Sequence, residues 1–151
     1  PNSLKMEAKV TGHYVNSILA TSEAKVRGYD DALMLDMYGN VGEASGANFF
    51  LEKNGVLYTP ALGHILPGIT RQTVLNICRE LEIPVVERNI KAEELEGADG
   101  AFFCGSAAEI AGIESIDAKP FAKEWQGSLG ATIQEAYKCQ VLEKSFSYVI
   151  I

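Results

Sequence analysis

Apolar and polar residues along the 151-residue chain follow patterns that predict three helices. The first is expected over residues 16–27, with Asn16 or Ser17 as its N-cap and Gly28 as its C-terminal stop. The second runs over residues 70–81, and the third over residues 128–142. The apolar positions of the first are Ile18, Leu19 and Val26, and those of the second are Val74, Leu75, Ile77, Cys78 and Leu81.

Short apolar runs bounded by turn residues predict strands between these helices. NFFLEK and VLYTP flank Asn54-Gly55, the dipeptide most typical of a tight β-hairpin. DALMLDM predicts a buried strand that ends in a turn at YGN, and IPVVERNI, GAFFCG and EIAGIESID predict further strands. AEELEG is expected to form an acidic helical turn. The apolar end, FSYVII, is expected to dock on the body of the protein.

This mixed order of strands and helices predicts an α+β fold with a mixed β-sheet or a pseudo-barrel, rather than a sandwich or a helix bundle. The length suits one domain, and we find no repeat, low-complexity tract or internal linker. Hydrophobic residues make up 47% of the chain and charged residues 22%, which is enough for a core of normal size.

Charge and cysteine content exclude several classes of partner. The net charge is −7 and basic residues do not cluster, so we expect neither nucleic-acid nor membrane-surface binding. No apolar run is long enough to span a membrane, and no signal peptide is recognisable. The cysteines are few and far apart, which is typical of reduced thiols in a cytoplasmic protein. The start at Pro1, without methionine, suggests a piece cut from a longer chain.

The stretch LPGITRQT predicts an anion-binding site. Pro67-Gly68 bends the chain just before a helix, where the first amides lack intrahelical acceptors and the helix dipole is positive. Gly68 would allow close approach of an anion, and the Thr70 hydroxyl adds a donor. The alternative is an N-cap threonine without a ligand. Arg71 could add positive charge or could simply face solvent.

A second turn of similar shape lies in FFCGSAAE, where glycine and serine follow a strand. Its amides could form an anion-binding nest, or the turn could merely pack against a helix. GEASGAN places Glu43 ahead of a strand, as a candidate acid or as a solvated glutamate in a plain loop. Lys9, in MEAKVTGHYVNS, is either a surface lysine or a reactive amine. His13 and His64 are expected to be packed or surface residues, and no spacing suggests a metal site.

Together these features supply an amine, a carboxylate and two anion-binding turns. Pyridoxal phosphate requires such a set: a lysine for its aldehyde, an acid opposite its ring nitrogen, and donors for its phosphate.

The motifs AKVTGHYVNS, GYDDALMLD, EASGANFF, GVLYTP, LPGITR and FFCGSAAE closely resemble, in order and spacing, those of the class IV aminotransferases, which have pyridoxal-phosphate fold type IV. Among them the chain is most similar to the branched-chain amino acid aminotransferases. The resemblance covers nearly the whole chain. It implies that residues 1–151 are the C-terminal, cofactor-binding domain, and that the smaller N-terminal domain of the family is absent.

The resemblance also implies roles for individual residues. Lys9 would bind the cofactor aldehyde and later carry the proton between the amino acid α-carbon and the cofactor. Tyr14 would contact the phenolic oxygen of the ring, and Glu43 would pair with the ring nitrogen. The residues that would bind the cofactor phosphate are Gly68, Ile69, Thr70 and Ser106. Ala107 would lie near the substrate carboxylate.

Two departures from the family pattern stand out. Ala47 replaces a glutamate found in many relatives, so any contact of that glutamate is lost. The absent domain would supply a phosphate-binding arginine and much of the side-chain pocket. By resemblance we expect transamination between a branched-chain L-amino acid and a 2-oxo acid such as 2-oxoglutarate, by a homodimer or higher oligomer in the full-length form. The alternatives are a 4-amino-4-deoxychorismate lyase, a D-amino acid aminotransferase, or a silent fragment that only binds phosphate ligands.

Overall fold

The computed structural model describes Lys5 and residues 7–142, so the predicted docking of FSYVII lies outside the described residues. Three α-helices and nine strands occur in these residues. The helices are α1 (Tyr14–Val26), α2 (Ile69–Glu80) and α3 (Leu129–Leu142). The strands are β1 (Leu33–Leu35), β2 (Val41–Ala44), β3 (Asn48–Lys53), β4 (Val56–Thr59), β5 (Val85–Glu87), β6 (Gly100–Gly105), β7 (Glu109–Ile113), β8 (Ser115–Ile116) and β9 (Lys119–Pro120).

The main sheet has five strands in the order β5-β4-β3-β6-β7. The β4–β5 pair is parallel and the other pairs are antiparallel. β1 pairs with β2, and β8 with β9, in two small antiparallel sheets. The predicted α+β fold with a mixed sheet is therefore confirmed, and the strands of the described residues form open sheets rather than a closed barrel.

The core lies on both faces of the central strands. On one face, Phe50 of β3 stacks on Phe102 of β6, with 4.9 Å between ring centroids, and helices α2 and α3 cover the pair. On the other face, Phe49 and Leu51 pack against Val41 and Ile90. Because β3 is buried on both faces, its sequence reads as a nearly continuous apolar run rather than as an alternation.

The predicted hairpin is confirmed as β3 and β4, with Asn54 and Gly55 both at positive φ in the turn. From β4 the chain crosses through α2 to β5, which returns parallel to β4. The second predicted helix is confirmed within one residue at each end. This crossover brings the N-terminus of α2 to the edge of the cavity described below.

Several predicted boundaries were wrong. α1 begins at Tyr14, after a 3-10 turn over Thr11–His13, and not at Asn16 or Ser17. DALMLDM holds only the short strand β1, which is partly exposed rather than buried, because only β2 pairs with it. No strand was predicted at VGEA, which forms β2. EIAGIESID is divided between β7, which continues the main sheet, and β8, which pairs with β9.

The third predicted helix is confirmed as α3. The Ser128 hydroxyl accepts a hydrogen bond from the amide of Ala131, as an N-cap does. Trp125 lies in the 3-10 turn just before α3 and meets Phe102 edge to face, so it anchors this helix to the sheet.

Helix α1 differs from α2 and α3 because none of its 13 residues is buried. Its exposed apolar side chains include Val15, Ile18, Leu19 and Val26. Within the described part of the chain, no helix combines the length and apolar character that a membrane crossing requires.

Candidate active site

One cavity of about 880 Å³ contains most of the predicted site residues. Its walls come from the segment before α1, from α1 itself, from β1 and β2, from the turn before α2 and from the end of β6. Ala107 follows Ser106 but is not among the residues that line this cavity. The predicted residues that line the cavity are Lys9, Tyr14, Glu43, Gly68, Ile69, Thr70 and Ser106.

Lys9 and Tyr14 lie on either side of the 3-10 turn that precedes α1. Lys9 is exposed and Tyr14 is half-buried, and both border the cavity. His13 also lines it, although the sequence assigned this histidine no role. Its Nε2 atom is buried and has no hydrogen-bond partner among the described atoms. The sequence does not indicate that His13 lines the cavity, because its location depends on the 3-10 turn before α1.

Glu43 is a half-buried acid in the wall of the cavity. Its neighbours are neutral hydrogen-bond donors: the Asn48 side-chain amide reaches Oε2 at 2.9 Å, and the Leu66 backbone amide lies 3.1 and 3.2 Å from the two carboxylate oxygens. No salt bridge to Glu43 occurs among the described residues. Burial raises the pKa of Glu43 to about 7, although the hydrogen bond from Leu66 acts in the opposite direction.

The turn before α2 has the geometry expected of an anion-binding turn. Gly68 occupies the N-cap position with extended backbone angles, and its carbonyl accepts a hydrogen bond from the Gln72 amide. The amides of Ile69 and Thr70 lie in the first turn of α2, where backbone donors have no intrahelical acceptor. Thr70 is 5% exposed, whereas Ile69 is 83% exposed.

Arg71 does not face solvent, although the sequence left that possibility open. It is 3% exposed, and one guanidinium nitrogen donates to the Pro60 carbonyl at 3.0 Å and to the Glu87 carboxylate at 2.7 Å. Arg71 does not line the cavity, but its positive charge lies near the thiol of Cys104, which does. Arg71 therefore lies behind the cavity wall and ties α2 to β4 and β5.

The second predicted anion-binding turn follows β6, and Gly105 and Ser106 reach the cavity from it. A Cβ atom at Gly105 would lie 3.2 Å from the Gly46 carbonyl and 3.5 Å from Ala47, so the two loops pack closely. Burial raises the pKa of the neighbouring Cys104 thiol to about 12, which keeps the cavity wall uncharged at this point.

Asn48 lines the cavity as well, although no pattern in the sequence predicted it there. It is 4% exposed at the start of β3, lines the cavity, and donates hydrogen bonds to Glu43 and to the Leu66 carbonyl. A polar residue directly before a buried apolar strand is the signal that could have identified it, since buried side-chain amides need partners.

The arrangement joins groups of complementary chemistry around one space. The Lys9 amine, the Tyr14 phenol, the half-buried Glu43 carboxylate and residues of the turns before α2 and after β6 all line it. Such a cavity suits a ligand with an electrophilic carbon, a basic ring nitrogen and an anionic group.

Known proteins of similar sequence and structure are aminotransferases. A branched-chain-amino-acid aminotransferase from Pseudomonas aeruginosa is 43% identical over 130 residues, which are 86% of this chain and 42% of that protein. The branched-chain aminotransferase of Thermoproteus uzoniensis, solved with norvaline, has 47% identity and a TM-score of 0.90, over 95% of this chain and 48% of that one. The branched-chain amino acid aminotransferase of Thermobaculum terrenum, solved in its PLP-form, has 39% identity and a TM-score of 0.90, over 93% and 46%.

The chain thus spans less than half the length of each of these relatives. The family model described as amino-transferase class IV matches residues 1–116, which hold every predicted site residue. On this match and the similarity of both sequence and structure, the chain belongs to the class IV aminotransferases.

Proposed function

We propose that this chain is the cofactor-binding part of a pyridoxal 5′-phosphate-dependent aminotransferase. Its substrates would be a branched-chain L-amino acid and a 2-oxo acid such as 2-oxoglutarate. One observation carries the proposal: an amine, a half-buried carboxylate of raised pKa and two amide-lined turns border the same cavity. A protein that only binds phosphate would need the turns but would have no use for Lys9 or for the acid.

The chemical groups that line the cavity match the functional groups of this cofactor. The cavity, about 880 Å³, falls within the size range of small-molecule sites. Pyridoxal phosphate supplies an aldehyde that accepts the amino group and a ring that withdraws electrons from the substrate α-carbon. The chain supplies Lys9 for the aldehyde and as the group that moves the α-proton, and Tyr14 as a hydrogen-bond partner of the phenolic oxygen.

Glu43 would hold the ring nitrogen. The loss of water around the half-buried Glu43 carboxylate destabilises its charged form, and this desolvation is the cause of its raised pKa. A protonated ring nitrogen would supply the missing positive charge and would favour the ionised carboxylate. The ionised Glu43 carboxylate would in turn keep the ring nitrogen protonated, and a protonated ring withdraws electrons more strongly.

The phosphate would lie at the two turns. The first-turn amides of α2, beginning at Ile69, and the Thr70 hydroxyl can donate to phosphate oxygens, and the positive end of the helix dipole adds to the attraction. The turn after β6 would donate through Ser106. Ala107, next to the lining residue Ser106, remains our proposal for a backbone contact to the substrate carboxylate.

A further structural unit is needed to complete the site. Large apolar side chains stay exposed around the cavity, among them Val15, Leu19, Leu35, Met37 and Ile69. Such a cluster is typical of a covered surface. We propose that residues 1–151 form the C-terminal domain of a longer enzyme, whose N-terminal domain packs over this face and supplies the remaining substrate contacts. We also propose that the full-length form is a homodimer or a higher oligomer.

A cytoplasmic location and a role in branched-chain amino acid biosynthesis complete the proposal. The location is supported by three cysteines that form no disulfide, two of them buried in the core. The metabolic role is supported by the names of the relatives described above.

Two enzymes of the same fold share these cofactor contacts. A 4-amino-4-deoxychorismate lyase would release its product without exchanging the amino group, and a D-amino acid aminotransferase would accept the opposite substrate enantiomer. Product analysis with L- and D-amino acids separates both from the proposed reaction.

The test is covalent trapping of the cofactor on the chain. Incubation with pyridoxal 5′-phosphate, followed by borohydride reduction, should fix one cofactor to the peptide that contains Lys9. Cofactor capture does not require turnover, so this experiment works on the 151-residue chain itself. Lys9→Ala should abolish labelling, whereas Lys25→Ala, which removes an exposed lysine from α1, should leave it unchanged. Absence of labelling in the unaltered chain, or labelling spread evenly over its lysines, would overturn the proposal.

A further inference from the structure

Asn48 connects the two halves of the cavity that bind opposite ends of the proposed cofactor. Its side-chain amide donates one hydrogen bond of 2.9 Å to Oε2 of Glu43 and another of 2.8 Å to the carbonyl of Leu66. A carboxamide nitrogen has two hydrogens, and both are used here. Asn48 thus contacts the carboxylate on β2 and the turn before α2 at the same time.

Leu66 closes this set of contacts into a ring. Its carbonyl accepts from Asn48, while its own amide lies 3.1 and 3.2 Å from the oxygens of the Glu43 carboxylate. Glu43 and Asn48, on the consecutive strands β2 and β3, and Leu66, about twenty residues further along the chain, therefore hold one another directly. A change in the position of the turn would be transmitted to the carboxylate.

The oxygen of the same carboxamide sets the position of Gly68. A Cβ atom at Gly68 would lie 2.2 Å from Oδ1 of Asn48 and 3.4 Å from its Cγ. The φ angle of Gly68 is −67°, which any residue can adopt, so the glycine is required for space and not for its backbone conformation. Asn48 Oδ1 and the N-cap of α2 are therefore packed against each other.

Few other side chains could make this set of contacts. An aspartate would place a second carboxylate against Glu43, a serine has a single donor, and a leucine has none. Glutamine would add a methylene in a position that is 4% exposed and already closely packed.

We propose that Asn48 is a positioning residue that fixes the Glu43 carboxylate and the anion-binding turn before α2 in one spatial relationship. This inference rests on the proposed function. It adds that Asn48 fixes the distance between the group that binds the ring nitrogen and the turn that binds the phosphate, without having to touch the phosphate itself. A rigid ligand that contacts both Glu43 and the turn gains affinity from this fixed distance, whereas a ligand that contacts only one of them does not.

The test compares one ligand that uses both ends with two that use one end each. Binding of pyridoxal 5′-phosphate, pyridoxal and inorganic phosphate is measured by titration calorimetry on the full chain and on its Asn48→Ala variant. Pyridoxal 5′-phosphate should lose at least tenfold in affinity, while pyridoxal and inorganic phosphate each lose less than threefold. In the variant the Leu66 amide still contacts the Glu43 carboxylate, so we expect Glu43 to keep its ability to bind a ring nitrogen. Asn76→Ala, an exposed asparagine on α2, is the control and should leave all three affinities unchanged.

A second variant keeps the inference testable if Asn48→Ala does not fold. Gly68→Ala retains Asn48 but forces it and the turn apart, so it should give the same selective loss for pyridoxal 5′-phosphate. In the double variant the added methyl group has room, and the loss should be smaller than the sum of the two single losses. Gly127→Ala, where a Cβ meets nothing within 4 Å, is the matched control.

The outcomes separate this inference from the function on which it rests. If the unaltered chain binds no pyridoxal 5′-phosphate at Lys9, the proposed function fails and this inference fails with it. If the unaltered chain binds it but the variants lose affinity for all three ligands equally, Asn48 only supports the fold and the inference is overturned. Unchanged affinity for pyridoxal 5′-phosphate in both single variants would also overturn it.

Discussion

Arg71, in the first turn of α2, donates a hydrogen bond of 2.7 Å to the carboxylate of Glu87 on β5. The arginine side chain is 4% exposed and the glutamate side chain 48% exposed, so a buried cation is paired at the surface. The same guanidinium nitrogen donates to the carbonyl of Pro60, just after β4. These contacts fix α2, whose N-terminus carries the first predicted anion-binding turn, to the parallel part of the sheet.

Arg71→Met should lower the free energy of unfolding by about 1–3 kcal/mol, because the Pro60 carbonyl loses a buried donor and the helix its ion pair. The loss stays moderate since Glu87 can turn to water. Arg79→Met, an exposed arginine on the same helix, should change stability by less than about 0.5 kcal/mol. Urea unfolding measures both, and equal effects of the two substitutions would contradict this account.

Lys123 neutralises a carboxylate in the core. Glu52, on β3, is 1% exposed and accepts hydrogen bonds from Lys123 and from the Leu129 amide that begins α3. The hydrogen bond to Glu52 raises the pKa of Lys123. Lys123→Met leaves that buried charge without its cation and should lower the free energy of unfolding at pH 7 by about 1–3 kcal/mol.

The matched control is Lys119→Met, which removes a lysine from an exposed pair with Glu96. Its effect should stay below about 0.5 kcal/mol because both partners are well hydrated. Denaturant titrations at pH 7 compare the two variants. A loss for Lys119→Met as large as that for Lys123→Met would show that burial of Glu52 is not the cause.

Gly130→Ala should destabilise the protein although alanine favours helices. A Cβ at this position in α3 would lie 2.6 Å from the ring of Trp125 and 2.9 Å from that of Phe102. We expect overpacking of about 1–3 kcal/mol to exceed the helix-propensity gain of about 1 kcal/mol. Gly127→Ala, where a Cβ has open space, should be nearly neutral. A thermal melt with higher stability for Gly130→Ala would refute the packing between Trp125 and α3.

Glu43 should make the stability of the cofactor-free protein depend on pH. Its pKa is raised to about 7 by burial, so the folded state binds more protons than the unfolded state between about pH 4.5 and pH 7. Stability attributable to this group therefore falls as the pH rises through that window, by up to about 3 kcal/mol, and stays low above it. Glu43→Gln should remove this dependence.

The Gln variant should accordingly be more stable than the unaltered chain at pH 8 and similar to it at pH 5. Urea unfolding at the two pH values tests this, and a carbon-detected NMR titration of Glu43 gives its pKa directly. In the full-length enzyme the same substitution should slow transamination by orders of magnitude. An unchanged rate would argue against pairing with the ring nitrogen, and a carboxylate that titrates near pH 4 would argue against its burial.

Local signals in the sequence were sufficient for much of the fold. The Asn54-Gly55 hairpin and helix α2 depend on turn chemistry and on the spacing of apolar residues within one segment, and both occur as predicted. β2 depends on partners elsewhere: β1 pairs with it, and the carbonyl of Ile90 accepts a hydrogen bond from the amide of Val41. VGEA is only four residues long and contains a glycine and a glutamate, so it gives no local sign of such pairing.

The candidate site divides in the same way. Residues within recognisable motifs, such as Lys9, Glu43 and Thr70, could be named from the sequence and lie around one cavity. Their roles in catalysis stay predictions. Asn48 and Arg71 could not be assigned, because what they do depends on contacts with the turn before α2 and with β5. Ala107 was expected at the site from its motif alone, yet the cavity wall ends at Ser106.

The exposure of α1 has a consequence for how the site becomes ordered. A helix of 13 residues that buries none of them gains little from tertiary packing, and helices of this length are marginal on their own in water. Any surface that covers α1 would therefore stiffen the segment that bears Lys9 and Tyr14 and would lower the entropic penalty of capturing a ligand there. By thermodynamic reciprocity, a bound ligand would increase the affinity of α1 for that covering surface by the same factor.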